Sequence, residues 1–397
     1  MTNYVALEDV AQINPRPRKC IDEMQEVSFL PMASVSANGF VAFEEKRILK
    51  EVKKGFTPFR RGDFIIAKIT PCFENGKAAL TCNLENEIGY GSTEFHVVRP
   101  DEDKLDRKYL YYLLWNKQFR FFGKKEMRGA AGQKRITTDY LKGYKIPLPP
   151  LEEQKRIAAI LDKADAVRRK RQQAIDLTDQ LLRSVFLDMF GDPVTNPKSL
   201  EVVKMSDIGQ IITGNTPSRK SPEYYGSNIE WIKSGNINTP YHYLTQAEEC
   251  LSEQGAQVGR TVPRNSILVT CIAGSKDCIG NIAIADREVA FNQQINAIVP
   301  NEKILTLFLY AQLAFNKKLV QKASTKSMKG MVSKSKFSDI EVLLPPIKDQ
   351  KKYADCFLKA LSKIEAMKMA MNNCNNLFNS LTQQAFKGEL IKQAKAA

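Results

Sequence analysis

The amino-acid sequence predicts an α+β fold in which two globular regions are joined by two long antiparallel coiled-coil helices about a pseudo-twofold. Three observations carry this expectation. A stretch opening IPLPPLEEQKRIAAILDK at Ile146 returns as VLLPPIKDQKKYADCFLK at Val342, an offset of 196 residues. Apolar residues then recur at steps of four and three for about forty positions in both copies. The regions before and between these stretches carry short β-branched runs, loops and helical segments in one shared order.

The first globular region, 1–148, holds DFIIAKI (Asp63 to Ile69), and the second, 191–344, holds SILVTCI (Ser266 to Ile272). Both read as buried strands. A Gly-bearing loop follows each: TPCFENGKAAL in the first and AGSKDCIGNIAIA in the second. STEFHVVRP then matches NQQINAIVP in position and pattern, and helices are expected at about 106–122 and 302–322. Each region closes with a basic loop, MRGAAGQKRITTDYL or STKSMKGMVSKSKF.

The helices are expected at 149–190 and 345–391, with 392–397 as a tail. Pro149-Pro150 and Pro345-Pro346 mark their starts, because proline is accepted in a first turn and biases the preceding residue to extended geometry. Glu152 and Glu153 suit the positive end of a helix dipole, and Gly191-Asp192-Pro193 stops the first helix. In the second copy the heptad steps select Tyr353, Phe357, Ala360, Ile364, Met367, Met371, Cys374, Phe378, Leu381 and Ala385, all apolar or aromatic. In the first they select Ile157, Leu161, Ala164, Arg168, Arg171, Ile175, Thr178, Leu182, Val185 and Met189. Residues 151–190 would form a rod of about 60 Å. The cluster RRKRQQ from Arg168 lies on the first helix alone; it suits phosphate contact, a solvated face, or pairing of its arginines with Glu365.

The 397-residue chain is 43% hydrophobic and carries a formal net charge of +15. Its length favours more than one domain, and the basic excess points to a polyanion, nucleic acid first. The excess is shared: residues 1–195 hold 33 Lys and Arg against 27 Asp and Glu, and residues 196–397 hold 26 against 17. No charged-then-apolar signal opens the chain and no apolar run approaches about 18 residues, so a cytoplasmic protein away from the membrane is expected. Eight cysteines without a C-x-x-C pair are expected as reduced, buried thiols.

Catalytic signatures are sparse. There is no G-x-x-x-x-G-K-[ST] loop to cradle a nucleotide phosphate. An adenine methyltransferase would show N/D-P-P-[YFW], whereas Asn14-Pro15-Arg16 and Asn196-Pro197-Lys198 differ at the third position. His96 and His242 are the two histidines; His96 reads as structural within a strand, and His242 as an exposed loop residue. GYGS (Gly89 to Ser92) and RPDEDK read as turns. The expectation is a binding protein with no catalytic, cofactor-binding or metal-binding residues of its own.

The repeated L-P-P-x-x-[ED]-Q-[KR] helix start, together with ITGNTPSRK from Ile212, WIKSGNI from Trp231 and the basic closing loops, resembles the specificity subunit of Type I restriction–modification systems. The resemblance covers nearly the whole chain. It implies two target recognition domains, each reading one half of a bipartite double-stranded DNA site, with the helices setting the unread gap. It further implies two methyltransferase subunits docked on the helices and using S-adenosylmethionine, and motor–nuclease subunits in the full complex. A coiled-coil scaffold, or a recognition module of another phage-defence complex, is the alternative.

For such a binder, Lys and Arg on phosphates supply affinity, and side chains at base edges supply specificity. The residues expected at DNA in the first region are Arg16, Arg18, Lys68, Asn75, Lys77, Arg128, Gln133, Lys134 and Arg135. In the second they are Arg219, Lys220, Lys233, Asn236, Lys276, Lys329, Lys334 and Lys336. The helix seam is expected at Ile157, Leu161, Ile175, Leu182, Val185, Tyr353, Phe357, Ile364, Met371, Phe378 and Leu381.

Overall fold

The computed structural model of the chain describes residues 3–16, 22–130, 132–239, 241–325 and 330–387. Arg18, Cys20, Lys329 and the expected tail at 392–397 lie outside the described residues. Helices Leu151–Phe190 and Ile347–Lys387 start directly after the two Pro-Pro pairs. Pro150 and Pro346 each supply the carbonyl that accepts the first turn's amides, from Glu153 and Gln154 and from Asp349 and Gln350. The first helix ends at Gly191, whose φ of +76° is the left-handed closing conformation that glycine adopts without a Cβ penalty. Its amide donates to Leu187 O at 2.8 Å. No helix among the described residues is long and apolar enough to cross a membrane.

The chain forms two compact units, one running up to Gln172 and resuming at Met369, the other spanning Gln173–Lys368. These limits fall inside the long helices, not at residues 148 and 344 where the sequence reading ends the globular regions. The reason is packing. In the first unit Tyr109, Tyr112 and Trp115, from helix Arg107–Trp115, set their rings against Phe386 and Phe378 at 5.7 to 6.1 Å. Ile157 and Leu161 are buried in the same cluster. In the second unit Phe308 meets Phe186 at 5.6 Å and Phe190 at 4.8 Å. Tyr353 packs on both of those rings, and its hydroxyl donates to Leu182 O at 3.3 Å. Each unit therefore joins the N-terminal half of one long helix to the C-terminal half of the other, which is an antiparallel pairing. The seam positions Ile175, Ile364 and Met371 are also buried, and Val185 and Leu381 are half-buried.

The sheets follow one plan in both units. The first unit has an antiparallel sheet ordered Ala11–Ile13, Phe95–Pro100, Phe64–Ala67, Ala78–Leu80. The second has the matching order Gly209–Thr213, Ile295–Pro300, Ile267–Thr270, Ile282–Ile284. A second sheet in each unit contains one parallel pair: Glu26–Leu30 with Ile88–Gly91, and Ile229–Ile232 with Val289–Phe291. A two-stranded ribbon leads into each long helix, Tyr4–Ala6 with Lys145–Pro147 and Val202–Lys204 with Glu341–Leu343.

The continuous helices expected at 106–122 and 302–322 are each broken. Asn116 interrupts the first: its side chain donates to Leu113 O at 2.6 Å and accepts the Phe119 amide at 2.8 Å, capping helix Lys117–Glu126. Asn316 lies at the corresponding break between Thr306–Phe315 and Lys318–Lys322.

Two buried devices recur in both units, the glutamines 196 residues apart and the strand residues 200 apart. The glutamine of each helix opening is fully buried and fully bonded. Gln154 Oε1 accepts the Asp106 amide at 2.9 Å, and its Nε2 donates to Lys104 O and Pro149 O at 2.8 and 2.9 Å. Gln350 does the same with the Leu305 amide, Lys303 O and Pro345 O at 2.8, 3.2 and 2.9 Å. The glutamine thus ties the long helix to the segment that starts its unit's short helix. In the second device a buried strand residue holds the basic closing loop. His96 Nε2 donates to Ile136 O at 3.0 Å, which leaves Nδ1 to accept from Asn14 Nδ2 at 3.1 Å. Asn296 Nδ2 donates to Val332 O at 3.1 Å.

Gln154→Ala or Gln350→Ala strands a buried amide and two carbonyls. Each is expected to cost about 1–3 kcal/mol, read from denaturant unfolding of the chain. Burial holds His96 below the ordinary histidine value. The unfolded chain therefore takes up its proton first on acidification. The stability His96 contributes is complete above about pH 6.5 and is lost as pH falls toward the lowered folded value. His96→Asn, which copies the second unit, is expected to flatten the loss of stability that sets in below about pH 6.5 while remaining folded at neutral pH.

Candidate nucleic-acid interface

In the first unit the strand Phe64–Ala67 leads into Lys68 and a tight loop, where the Phe73 amide donates to Ile69 O and the Asn75 amide to Pro71 O. The basic closing loop turns back on itself through paired bonds between Arg128 and Arg135, at 3.0 and 2.8 Å. The two loops are zipped together: Thr70 N donates to Lys134 O and Ile136 N to Lys68 O, both at 2.9 Å. This brings Lys68, Asn75, Arg128, Gln133, Lys134 and Arg135 onto one platform. Asn75, Arg128, Gln133 and Lys134 are exposed on it, and Lys68 is half-buried.

The second unit builds the same platform with different side chains. After strand Ile267–Thr270, Val332 N donates to Cys271 O at 2.9 Å, and Ile272 bridges to Met331. Gln321 Nε2 holds Lys276 O at 3.3 Å. Ser333 caps the short helix Lys334–Ser338 by accepting the Lys336 amide. Lys276, Lys334 and Lys336 are exposed. Arg128, Lys134, Lys276, Lys334 and Lys336 make no ion pair among the described residues. Cations at this density with no internal carboxylate are suited to phosphate.

Several expected DNA contacts are already engaged inside the protein. Arg135 forms a bidentate pair with Glu94, at 2.7 to 3.1 Å, and holds that carboxyl below its usual range. Lys77 Nζ donates to Met32 O at 2.9 Å. Asn236 accepts the Lys233 amide and donates to Gln246 O, a turn-fixing role. Sequence spacing does not carry these partners, because they come from strands and loops distant in the chain. Arg16 and Lys220 are exposed and make no ion pair among the described residues.

Arg219 and Lys233 belong to a second cluster. Glu249 binds both, at 2.7 Å and 2.5 Å, and the two cations hold its carboxyl below the usual range, Lys233 with the larger effect. The Arg219 guanidinium lies 4.3 Å from the Tyr225 ring centroid and 5.1 Å from that of Trp231, and Lys233 lies 5.3 Å from the Trp231 centroid. One carboxylate shared by two cations leaves a net positive charge, and the rings pre-order the guanidinium. Glu249 and its two rings were missed from sequence, since nothing near Glu249 marks it as the partner of residues 16 and 30 positions away.

Neither histidine is at this surface as an exposed group. His96 is buried behind the closing loop. His242 is packed, not exposed as expected: Nδ1 meets the Tyr310 hydroxyl at 3.0 Å, and the ring stands edge-on to Phe357 at 5.3 Å. The aromatic wall draws the imidazole in from its loop. Of the described cysteines only Cys271 is buried; Cys82 is exposed and the others are intermediate, none in a disulfide. No group of three or more His, Cys, Asp or Glu among the described residues is arranged to hold a metal ion.

A profile of the Type I restriction modification DNA specificity domain matches residues 2–177 and again 197–373. Among curated proteins, the Type I restriction enzyme EcoAI specificity subunit of Escherichia coli is 42% identical over 188 residues, covering 46% of this chain and 32% of that protein. The EcoEI specificity subunit of the same species is 37% identical over 188 residues, covering 46% and 31%. The matched stretch thus spans about a third of the length of these two relatives. The HindI specificity subunit of Haemophilus influenzae is 25% identical over 85% of this chain and 89% of its own. Among solved structures, a chain described in work on complex assembly and conformational transition of the type I R-M system is 18% identical. It covers 98% of both chains with a TM-score of 0.53. The Type-I restriction-modification system S subunit from M. genitalium is 15% identical, with a TM-score of 0.52 over 97% and 96%. Both likenesses show a shared fold. Because one profile matches twice, each time across a complete copy of the strand order and closing loop found in both units, the chain belongs to the Type I restriction modification DNA specificity domain family.

Proposed function

We propose that the chain is the DNA-specificity subunit of a Type I restriction–modification complex. Each unit reads one half of a bipartite duplex site, and the two long helices set the unread gap. The observation that carries this reading is the repeated loop platform. One topology presents exposed, internally unpaired cations in both units, yet Asn75, Arg128, Gln133 and Lys134 in one correspond to a different set in the other. A shared scaffold with divergent loops fits two readers of unlike half-sites. Lysines and arginines there would meet backbone phosphates, and Asn75 and Gln133 have the paired donor and acceptor that match an adenine edge. Arg219 and Lys233 would exchange Glu249 for phosphate.

In this reading the chain supplies recognition, not reaction chemistry. Two methyltransferase subunits dock on exposed faces of the long helices near Glu152–Arg156 and Asp176–Phe186, and S-adenosylmethionine is held by those partners. Motor–nuclease subunits complete the restriction complex, which acts in the cytoplasm.

Complexes built with this chain are expected to lose roughly a thousandfold or more in DNA affinity between about 50 and 200 mM salt. The triple change K276Q/K334Q/K336Q should shallow the logarithmic salt slope by about 3 and weaken all sequences alike. A flat salt response would remove the basic platform from the binding account. Exchange of residues 1–148 for the corresponding region of another family member, read by methylation-sensitive sequencing, should alter one half-site only. Alteration of both halves would contradict independent reading.

A further inference from the structure

The first unit contains a cavity of about 400 Å³ apart from the loop platform. Its walls include Trp115, Lys117 and Arg120 from around the broken helix, and Asn375, Asn379 and Gln383 from the second long helix. None of the described residues lining it is acidic. Arg120 is largely buried here, and its Nε has no hydrogen-bond partner. Its one bond is from a terminal nitrogen to Glu74 O at 3.3 Å. Burial alone lowers its pKa, with no anion to offset it. A guanidinium N–H buried without an acceptor is costly and calls for an explanation.

Arg168 also lines the cavity; it donates to Asp165 at 2.6 Å, a carboxylate that Arg169 binds as well at 2.5 Å. Lys117 stands exposed and makes no ion pair among the described residues. Lys117 and Arg120 have no carboxylate partner among the described residues and stand three positions apart, so they are neighbours on one helix face. Asn375, Asn379 and Gln383 recur every fourth residue and present amides along one face of the opposing helix. Trp115 and Phe378 back the cavity as buried rings, with the Arg168 guanidinium 5.1 and 5.7 Å from their centroids. With the helix breaks at Asn116 and Asn316 as the matching points, the second unit has the buried Val320 in place of Arg120, so the cationic feature is not part of the shared plan.

We propose that this cavity binds a phosphate-bearing ligand of mononucleotide size, with the phosphate on Arg120 and Lys117 and the rest of the ligand along the amides of Asn375, Asn379 and Gln383. The phosphate comes either from a free nucleotide or from duplex DNA. The volume lies within the range of small-ligand sites.

The test is calorimetric titration of the full chain with adenosine monophosphate, with inorganic phosphate as competitor. Saturable binding in the micromolar to millimolar range is expected, weakened about tenfold or more by R120Q and by K117Q. Lys117 is exposed, so K117Q reports on the site even where R120Q disturbs folding. Duplex DNA that displaces the nucleotide identifies DNA as the phosphate source; duplex that leaves it bound identifies a free nucleotide. Absence of saturable nucleotide binding up to about 10 mM, or undiminished affinity in K117Q and in a folded R120Q, overturns the proposal.

Discussion

Two helices of 40 and 41 residues carry apolar stripes too long for either to stand alone in water, and the build of both units follows from how those stripes are covered. In each unit a half of one helix lies against a half of the other, and rings from the globular part seal the pair. Phe308 on Phe186 and Phe190 does this in the second unit, and Tyr112 and Trp115 on Phe378 in the first. Loss of one such buried ring typically costs about 3–5 kcal/mol. The globular parts are thereby built onto the helices, so a loop platform on a unit inherits a fixed relation to the helix segments of that unit.

Placement of the basic loops rests on buried polar groups that are fully satisfied. Gln154 and Gln350 tie each long helix to the segment that opens its unit's short helix. His96 and Asn296 hold the carbonyls of Ile136 and Val332, where the closing loops leave the sheet. A buried amide or imidazole bonded on every side admits few alternative arrangements. The scaffold is therefore specified at the points where the loops attach, while the exposed side chains remain free to differ.

The two units also show one repeat carrying unlike side chains. The order of the four-stranded antiparallel sheet and the parallel pair of the second sheet are common to both, while the second unit's second sheet has one further strand, Tyr225–Gly226. The cation–aromatic cluster around Glu249 belongs to the second unit, and the Arg120 cavity to the first. Neither follows from the shared plan, which makes both of them features of this chain's own side chains.

Much of the frame was legible in the sequence because it depends on local rules. Proline pairs, heptad spacing and a terminal glycine are read from near neighbours, and they located both long helices, their starts and the stop at Gly191. The loop pairs followed from the order of strands and basic segments. Tertiary structure alone decided which cations remain available. Arg135, Lys77, Arg219 and Lys233 look like Arg128 and Lys134 in sequence, but Glu94, Met32 and Glu249 reach them from elsewhere in the chain. It likewise decided that the globular regions close over the helices, that Asn116 breaks a helix by capping the next, and that His242 is packed. Each depends on partners brought near only by folding, and charge–charge and ring–ring contacts act through space without regard to separation along the chain.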